Sequence, residues 1–267
     1  MNQTEILKKC FSFMDLTTLH TEDTPSAVRN LVEKVTTLQK EYPSYPLPAS
    51  VCVFPNLANV VREYRPCEDL HVTAVSSCFP TAQSFLEVKI RECELAVENG
   101  ADEIDIVLAL NKFLSGDEAG ASEEIVAMKK AIDAAGARLG RKIVLKVILE
   151  TGLLKTPELI RKASMLAMEA GADFIKTSTG KVSVNATPEA ARVMCEAIRD
   201  YYRKTGRKVG FKAAGGIATA EDALVYYNIG LEILGEEWLA KDTFRFGVSR
   251  VGNALMSAIE GKEVKFF

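Results

Sequence analysis

Short runs of β-branched and apolar residues recur along the chain, separated by longer stretches whose apolar positions fall at helical spacing. The runs are Ser50–Phe54, His71–Ser76, Glu103–Ala109, Lys142–Glu150, Asp173–Thr179, Lys208–Ala213 and Arg245–Ser249, with a weaker one at Met14–Leu19. Between them lie patterns such as Leu86, Ile90, Cys93 and Val97, whose spacings of four, three and four keep one helical face apolar. Eight strand candidates alternating with helices predict parallel β-α units. Over residues 1–267, with no linker or shift in composition, this pattern fits a single α/β domain, a (β/α)8 TIM barrel with a short N-terminal helix. An open doubly wound sheet is the structural alternative.

Composition adds exclusions. A hydrophobic fraction of 48% and a charged fraction of 26% suit a globular chain with a substantial core. The net charge is −3 and no Lys/Arg-rich run stands out, which argues against a nucleic-acid partner but leaves room for a phosphorylated small molecule. The first ten residues lack the apolar core of a secretion signal, and no stretch approaches the roughly 18 apolar residues of a membrane span. The six cysteines (Cys10, Cys52, Cys67, Cys78, Cys93 and Cys195) are scattered, and His20 and His71 are the two histidines. That pattern lacks metal-ligand spacing and fits free thiols in a reducing cytoplasm.

The chemistry lies in polar residues placed inside apolar strands. Lys146 interrupts Ile143–Leu149, Lys176 follows Phe174 and Ile175, and Lys212 precedes a glycine pair. One such lysine reads equally well as a snorkelling or salt-bridged side chain. Three on neighbouring strands, with an aspartate, read as a site, because barrel active sites gather at the C-terminal ends of several strands. An internal echo aligns two of them. Asn99–Asp105 and Ala170–Lys176 share a helix-ending glycine, and Asp105 and Lys176 each stand five residues past it, directly after an isoleucine. Both should therefore enter the barrel at similar depth, with Ile104, Ile106, Ile175 and Phe174 against the helices. Desolvation and cationic neighbours both disfavour an ammonium, so Lys176, flanked by Lys146 and Lys212, is favoured as an amine nucleophile. Asp105 is then a candidate proton carrier.

Two glycine loops point to a phosphate handle. Gly215 and Gly216 follow the seventh strand and precede a helix start with Thr219 as N-cap, while Gly247, Val248 and Ser249 follow the eighth. Loops at these two places, backed by a helix N-terminus, form the recurrent phosphate site of such barrels. Thr179, Gly180 and Lys181, just after the sixth strand, are positioned to add N–H groups and a charge.

Several segments together resemble the deoxyribose-phosphate aldolase family: Phe174–Lys181, Val209–Gly216, Gly100–Asp105, Met14–Leu19, Cys52–Pro55 and Leu145–Gly152. The likeness runs from about Met14 to Arg250. It implies a cytoplasmic class I aldolase without metal or cofactor, reversibly cleaving 2-deoxy-D-ribose 5-phosphate to acetaldehyde and D-glyceraldehyde 3-phosphate in deoxyribose phosphate catabolism. By motif position Lys176 matches the Schiff-base lysine, Lys212 the second catalytic lysine, Asp105 the acid/base carboxylate acting through a water, and Lys146 a supporting lysine. Asp15 resembles a polar residue on the Lys212 side of the pocket. Cys52 lies at the edge of the site in this family, although its residue type also suits a small core position. Dimers are common in such families, so a homodimer is the expected assembly.

Two departures stand out. Some members end in a tyrosine thought to assist proton exchange, whereas this chain ends Val264-Lys265-Phe266-Phe267, so that relay does not carry over. Ala218 stands where some members have an arginine, and Arg250 replaces a second serine, which makes Arg250 a candidate for restoring positive charge near the phosphate. Two other readings remain at this point: a Schiff-base aldolase for another sugar phosphate, and a non-catalytic phosphosugar-binding barrel.

Overall fold

In the computed structural model, which describes residues 2–267, eight parallel strands close into a barrel in simple sequence order. The strands are β1 (Met14–Thr17), β2 (Ser50–Val53), β3 (His71–Val75), β4 (Glu103–Val107), β5 (Val144–Ile148), β6 (Phe174–Lys176), β7 (Gly210–Ala214) and β8 (Phe244–Val248). Pairing of β8 with β1, for example Asp15 with Gly247, closes the ring and rules out the open sheet. All eight predicted strands are present; six are trimmed where the chain leaves the ladder, β7 runs on to Ala214 and β8 starts one residue earlier, at Phe244.

The helices are α1 (Gln3–Ser12), α2 (Pro25–Glu41), α3 (Ala58–Tyr64), α4 (Leu86–Glu98), α5 (Leu110–Leu114), α6 (Glu118–Arg138), α7 (Thr151–Leu154), α8 (Pro157–Glu169), α9 (Pro188–Thr205), α10 (Ala220–Leu234) and α11 (Val251–Glu260). Their starts are written in the sequence. Thr24, Thr156 and Thr187 each precede a proline and accept a backbone N–H of the first turn of α2, α8 and α9. Gly100 and Gly171, at φ +111° and +107°, turn the chain from α4 and α8 into β4 and β6. The two halves of the internal echo are thus the same device.

The apolar core sits outside the barrel wall. Leu16, Val51, Val72, Ile104, Ile106, Leu145, Val147, Ile175, Phe211 and Phe246 all pack outward against helical residues such as Val32, Val97, Ile132 and Ile198. Each such aliphatic side chain contributes roughly 1.5–3 kcal/mol by leaving water. The opposite strand face, by alternation, carries Asp15, Thr73, Glu103, Asp105, Lys146, Lys176, Lys212 and Arg245, all buried. Phe174 corrects the expectation that it faces the helices. Two residues from Lys176, it shares the interior face; an added Cβ at Gly210 would lie 2.4 Å from its ring, and the Arg245 guanidinium stands 5.7 Å from the ring centre.

Candidate active site

Asp105 is the centre of the interior cluster. Its Oδ2 accepts from Lys176 Nζ and from Lys212 Nζ, both at 2.8 Å, and its Oδ1 accepts from Lys146 Nζ at 2.9 Å. The strands bring these groups together through their register. Lys176 lies level with Lys212 across β6 and β7, whereas Lys146 pairs with Phe174, one layer deeper. The acid and lysine aligned by the echo therefore meet in one cavity.

The neighbours of the cluster separate the three lysines. Lys212 also donates to Asp15. Lys146 also pairs with Glu103, donates to Thr73 Oγ1 at 3.2 Å and lies 3.7 Å from Asp15. Lys176 has Asp105 alone. Burial would lower every one of these amines, but nearby carboxylates reverse it for Lys146 and Lys212, which are held above the usual lysine range. For Lys176, burial and the Lys212 ammonium outweigh Asp105, and the amine is held below that range. Burial likewise pushes the Asp105 carboxyl up, but the positive charge of the surrounding lysines overwhelms it and holds it well below the carboxylate range. Asp15 behaves similarly, and is held at about 2 against its burial by Lys212, Arg245 and Lys146.

Three members of this cluster, Arg245, Glu103 and His71, escaped the reading of the sequence. Arg245 donates from Nη1 to Asp15 and, at 3.1 Å, to Glu103 Oε2, and from Nη2 to Glu103 Oε1 at 2.7 Å. His71 Nδ1 stands 2.7 Å from Glu103 Oε1 at the N-terminal mouth of the barrel. Each looks like an ordinary charge at a strand start. The available signal was parity: Glu103 is two residues from Asp105, and Arg245 two from Gly247.

Above the cluster opens a cleft of about 260 Å³, with Lys176 the strand lysine that reaches it. Lys176 retains 4% exposure, while Lys146 and Lys212 retain none. Thr179, Gly180 and Lys181 form one rim, Gly215 and Gly216 another, and Gly247, Val248 and Ser249 a third, with Thr17, Leu19 and His20 completing the wall. Gly180, Gly215 and Gly216 all adopt positive φ, near +80°, and at Gly180 and Gly216 an added Cβ would meet open space. Glu150, buried at the end of β5 and itself at φ +54°, accepts the Thr179 N–H at 3.2 Å as well as the Thr179 hydroxyl. Thr179 Oγ1 in turn accepts the Lys181 N–H at 3.0 Å, so Glu150 fixes this rim. Larger hollows, about 590 Å³ beside Glu118 and Arg161 and about 530 Å³ beside Pro55 and Leu95, lie on the outer helices away from the strand lysines.

Some expected positions fall elsewhere. Thr219 caps α10 as expected, but Asp222 already accepts the N–H groups of Ala218 and Thr219, at 3.0 and 2.9 Å, so that helix start is occupied by its own carboxylate. The start of α11, at Val251 just beyond Ser249 and Arg250, carries no side-chain cap. Arg250 is exposed at the N-cap position of α11 and does not line the cleft. Cys52 packs with Leu19 and Val75, and burial pushes its thiol up. Phe266 and Phe267 are tied by their N–H groups to Asn253 Oδ1, each at 2.8 Å, and line no part of the cleft.

Comparison with known proteins agrees with this fold. Residues 10–228 match the model of the DeoC/LacD family aldolases. The chain is 40% identical over 253 residues to the deoxyribose-phosphate aldolase of Agrobacterium fabrum, spanning 94% of this chain and 91% of that protein. Among solved structures it is similar to QR15, an aldolase, at 27% identity and a TM-score of 0.74, covering 94% of this chain and 96% of the other. It is also similar to the tetrameric deoxyribose phosphate aldolase of Aeropyrum pernix, at 25% identity and a TM-score of 0.71 over 97% and 98% of the two chains. A closed barrel with a lysine cluster at its mouth and a family match along most of its length make this chain a member of the DeoC/LacD aldolase family.

Proposed function

We propose that this protein is a class I aldolase that reversibly cleaves 2-deoxy-D-ribose 5-phosphate to acetaldehyde and D-glyceraldehyde 3-phosphate, with Lys176 as the imine-forming amine. One observation carries the proposal. Lys176 alone of the strand lysines reaches the cleft, and it alone has its amine held below the lysine range.

The neutral Lys176 amine adds to the substrate carbonyl, and loss of water gives a protonated imine. That cation withdraws electrons, so the C2–C3 bond breaks as the electron pair flows toward nitrogen and an enamine forms. Asp105, through a water, takes the C3 hydroxyl proton. Its cationic neighbours make Asp105 a weak base, so the proton leaves only as C3–O becomes a carbonyl. Lys212, 2.8 Å from the same carboxylate oxygen, passes protons to and from Asp105 and lowers the Lys176 amine. Lys146 holds Asp105 from below, and Asp15 holds Lys212. Protonation of the enamine carbon and hydrolysis release acetaldehyde.

The phosphate sits in the cleft lined by Thr179, Gly180, Lys181, Gly215, Gly216, Gly247 and Ser249, near the uncapped start of α11. Arg250 is kept as an outer charge that attracts the dianion without lining the cleft. A cytoplasmic homodimer is part of the same reading, and sedimentation of the purified protein tests the assembly. Among the described residues no helix is long and apolar enough to cross a membrane. The activity is tested by retro-aldol turnover of deoxyribose 5-phosphate. Lys176→Ala should lower it by about 10⁴-fold or more, and equal turnover by this variant would refute the proposal.

A further inference from the structure

Four cations and three carboxylates share the barrel interior: Lys146, Lys176, Lys212 and Arg245 against Asp15, Glu103 and Asp105. With every group charged, one positive charge is unmatched among side chains that are almost fully buried, which is a costly arrangement. The cluster relieves it by releasing one proton. Arg245 keeps its proton under all working conditions. Lys212 faces two carboxylates and Lys146 three within 4.0 Å, whereas Lys176 faces Asp105 alone. The proton therefore leaves Lys176.

We infer that Arg245 is a positioning residue whose permanent charge at the floor of the barrel, relayed through Asp15 and Glu103, keeps the Lys176 amine neutral and nucleophilic. Arg245 lines no part of the cleft and is itself fully buried over Phe174. Without it, three lysines would be matched by three carboxylates, and Lys176 would retain its proton. The remaining titratable groups around the cluster do not change the count. The Cys52 thiol on β2 is pushed up and stays neutral, and Glu150 after β5 bonds Thr179 rather than a lysine. His71 on β3 contacts Glu103 rather than a lysine.

This inference rests on Lys176 being the imine-forming lysine, and one experiment separates the two claims. Acetaldehyde is trapped with borohydride across a pH series, and the adduct on the Lys176 peptide is followed by mass spectrometry. In Arg245→Met the midpoint for adduct formation should move up by about one pH unit, the scale of one buried charge acting at an effective dielectric near 20. In Glu103→Gln it should move down. The double variant Glu103→Gln/Arg245→Met restores the surplus of one cation and should return near the wild-type midpoint. If Arg245→Met does not fold, the downward shift in Glu103→Gln and its reversal in the double variant carry the test. Unmoved midpoints in the single variants, or a double variant shifted as far as a single one, would overturn the inference while leaving the Lys176 imine intact. A wild-type protein without an adduct on Lys176 would overturn both.

Discussion

Lys176 differs from Lys146 and Lys212 in what surrounds its nitrogen rather than in its place on a strand. All three are buried and all three donate to Asp105, but only Lys176 lacks a second carboxylate. Asp105→Asn separates the roles. Turnover should fall by roughly 10²–10⁴-fold, the usual scale for losing an acid/base group, while acetaldehyde still forms a borohydride-stable adduct on Lys176. Loss of both turnover and adduct would mean that Asp105 acts on imine formation itself. The four functional side chains first suspected, Asp105, Lys146, Lys176 and Lys212, were legible because charge in an apolar strand is conspicuous. Arg245 and Glu103 were not, because at the first turns of β8 and β4 a charge passes for a solvated strand end. Glu150 was hidden for a different reason: its role depends on a left-handed backbone conformation that residue type does not announce.

At the scale of elements, the repeated glycine device of α4–β4 and α8–β6 gave the correct facing direction for Asp105 and Lys176. Alternation should also have placed Phe174 inside, since it is two residues from Lys176. The bulk and apolarity of Phe174 argued for the helix side, but the barrel floor opposite Gly210 has room for one ring. Gly210→Ala tests that placement. The new methyl would meet the Phe174 ring at 2.4 Å, so the variant should lose about 1–3 kcal/mol in denaturant unfolding. A neutral effect would put Phe174 elsewhere. The phosphate loops were legible as glycine pairs after the last two strands. Which helix start remains free was not, because the Asp222 cap of α10 closes only through backbone geometry.

The whole molecule reverses the usual arrangement: its apolar core surrounds the barrel, and its interior is an ionic cluster. Stability should therefore depend on pH from both sides. Asp15, Glu103 and Asp105 are held below the usual carboxylate range, so the stability they add is present above about pH 4 and lost as pH falls through their folded values. Lys146 and Lys212 are held above the usual lysine range, so their contribution is complete below about pH 10.4 and lost as pH rises through their folded values. Thermal melting across pH should show a plateau between these limits, with decline on both sides. A melting temperature that rose steadily toward acid pH would contradict a native cluster of ionised carboxylates. The barrel closure itself was legible from eight alternating units, since register follows once each strand has one face for helices and one for charge.

The central claim is that Lys176, and no other lysine, forms the imine. Reduction of the protein with borohydride in the presence of acetaldehyde, followed by peptide mapping, tests it directly. The account predicts one ethyl group on the peptide containing Lys176 and none in Lys176→Ala. An adduct on Lys212, or no adduct at all, would contradict it.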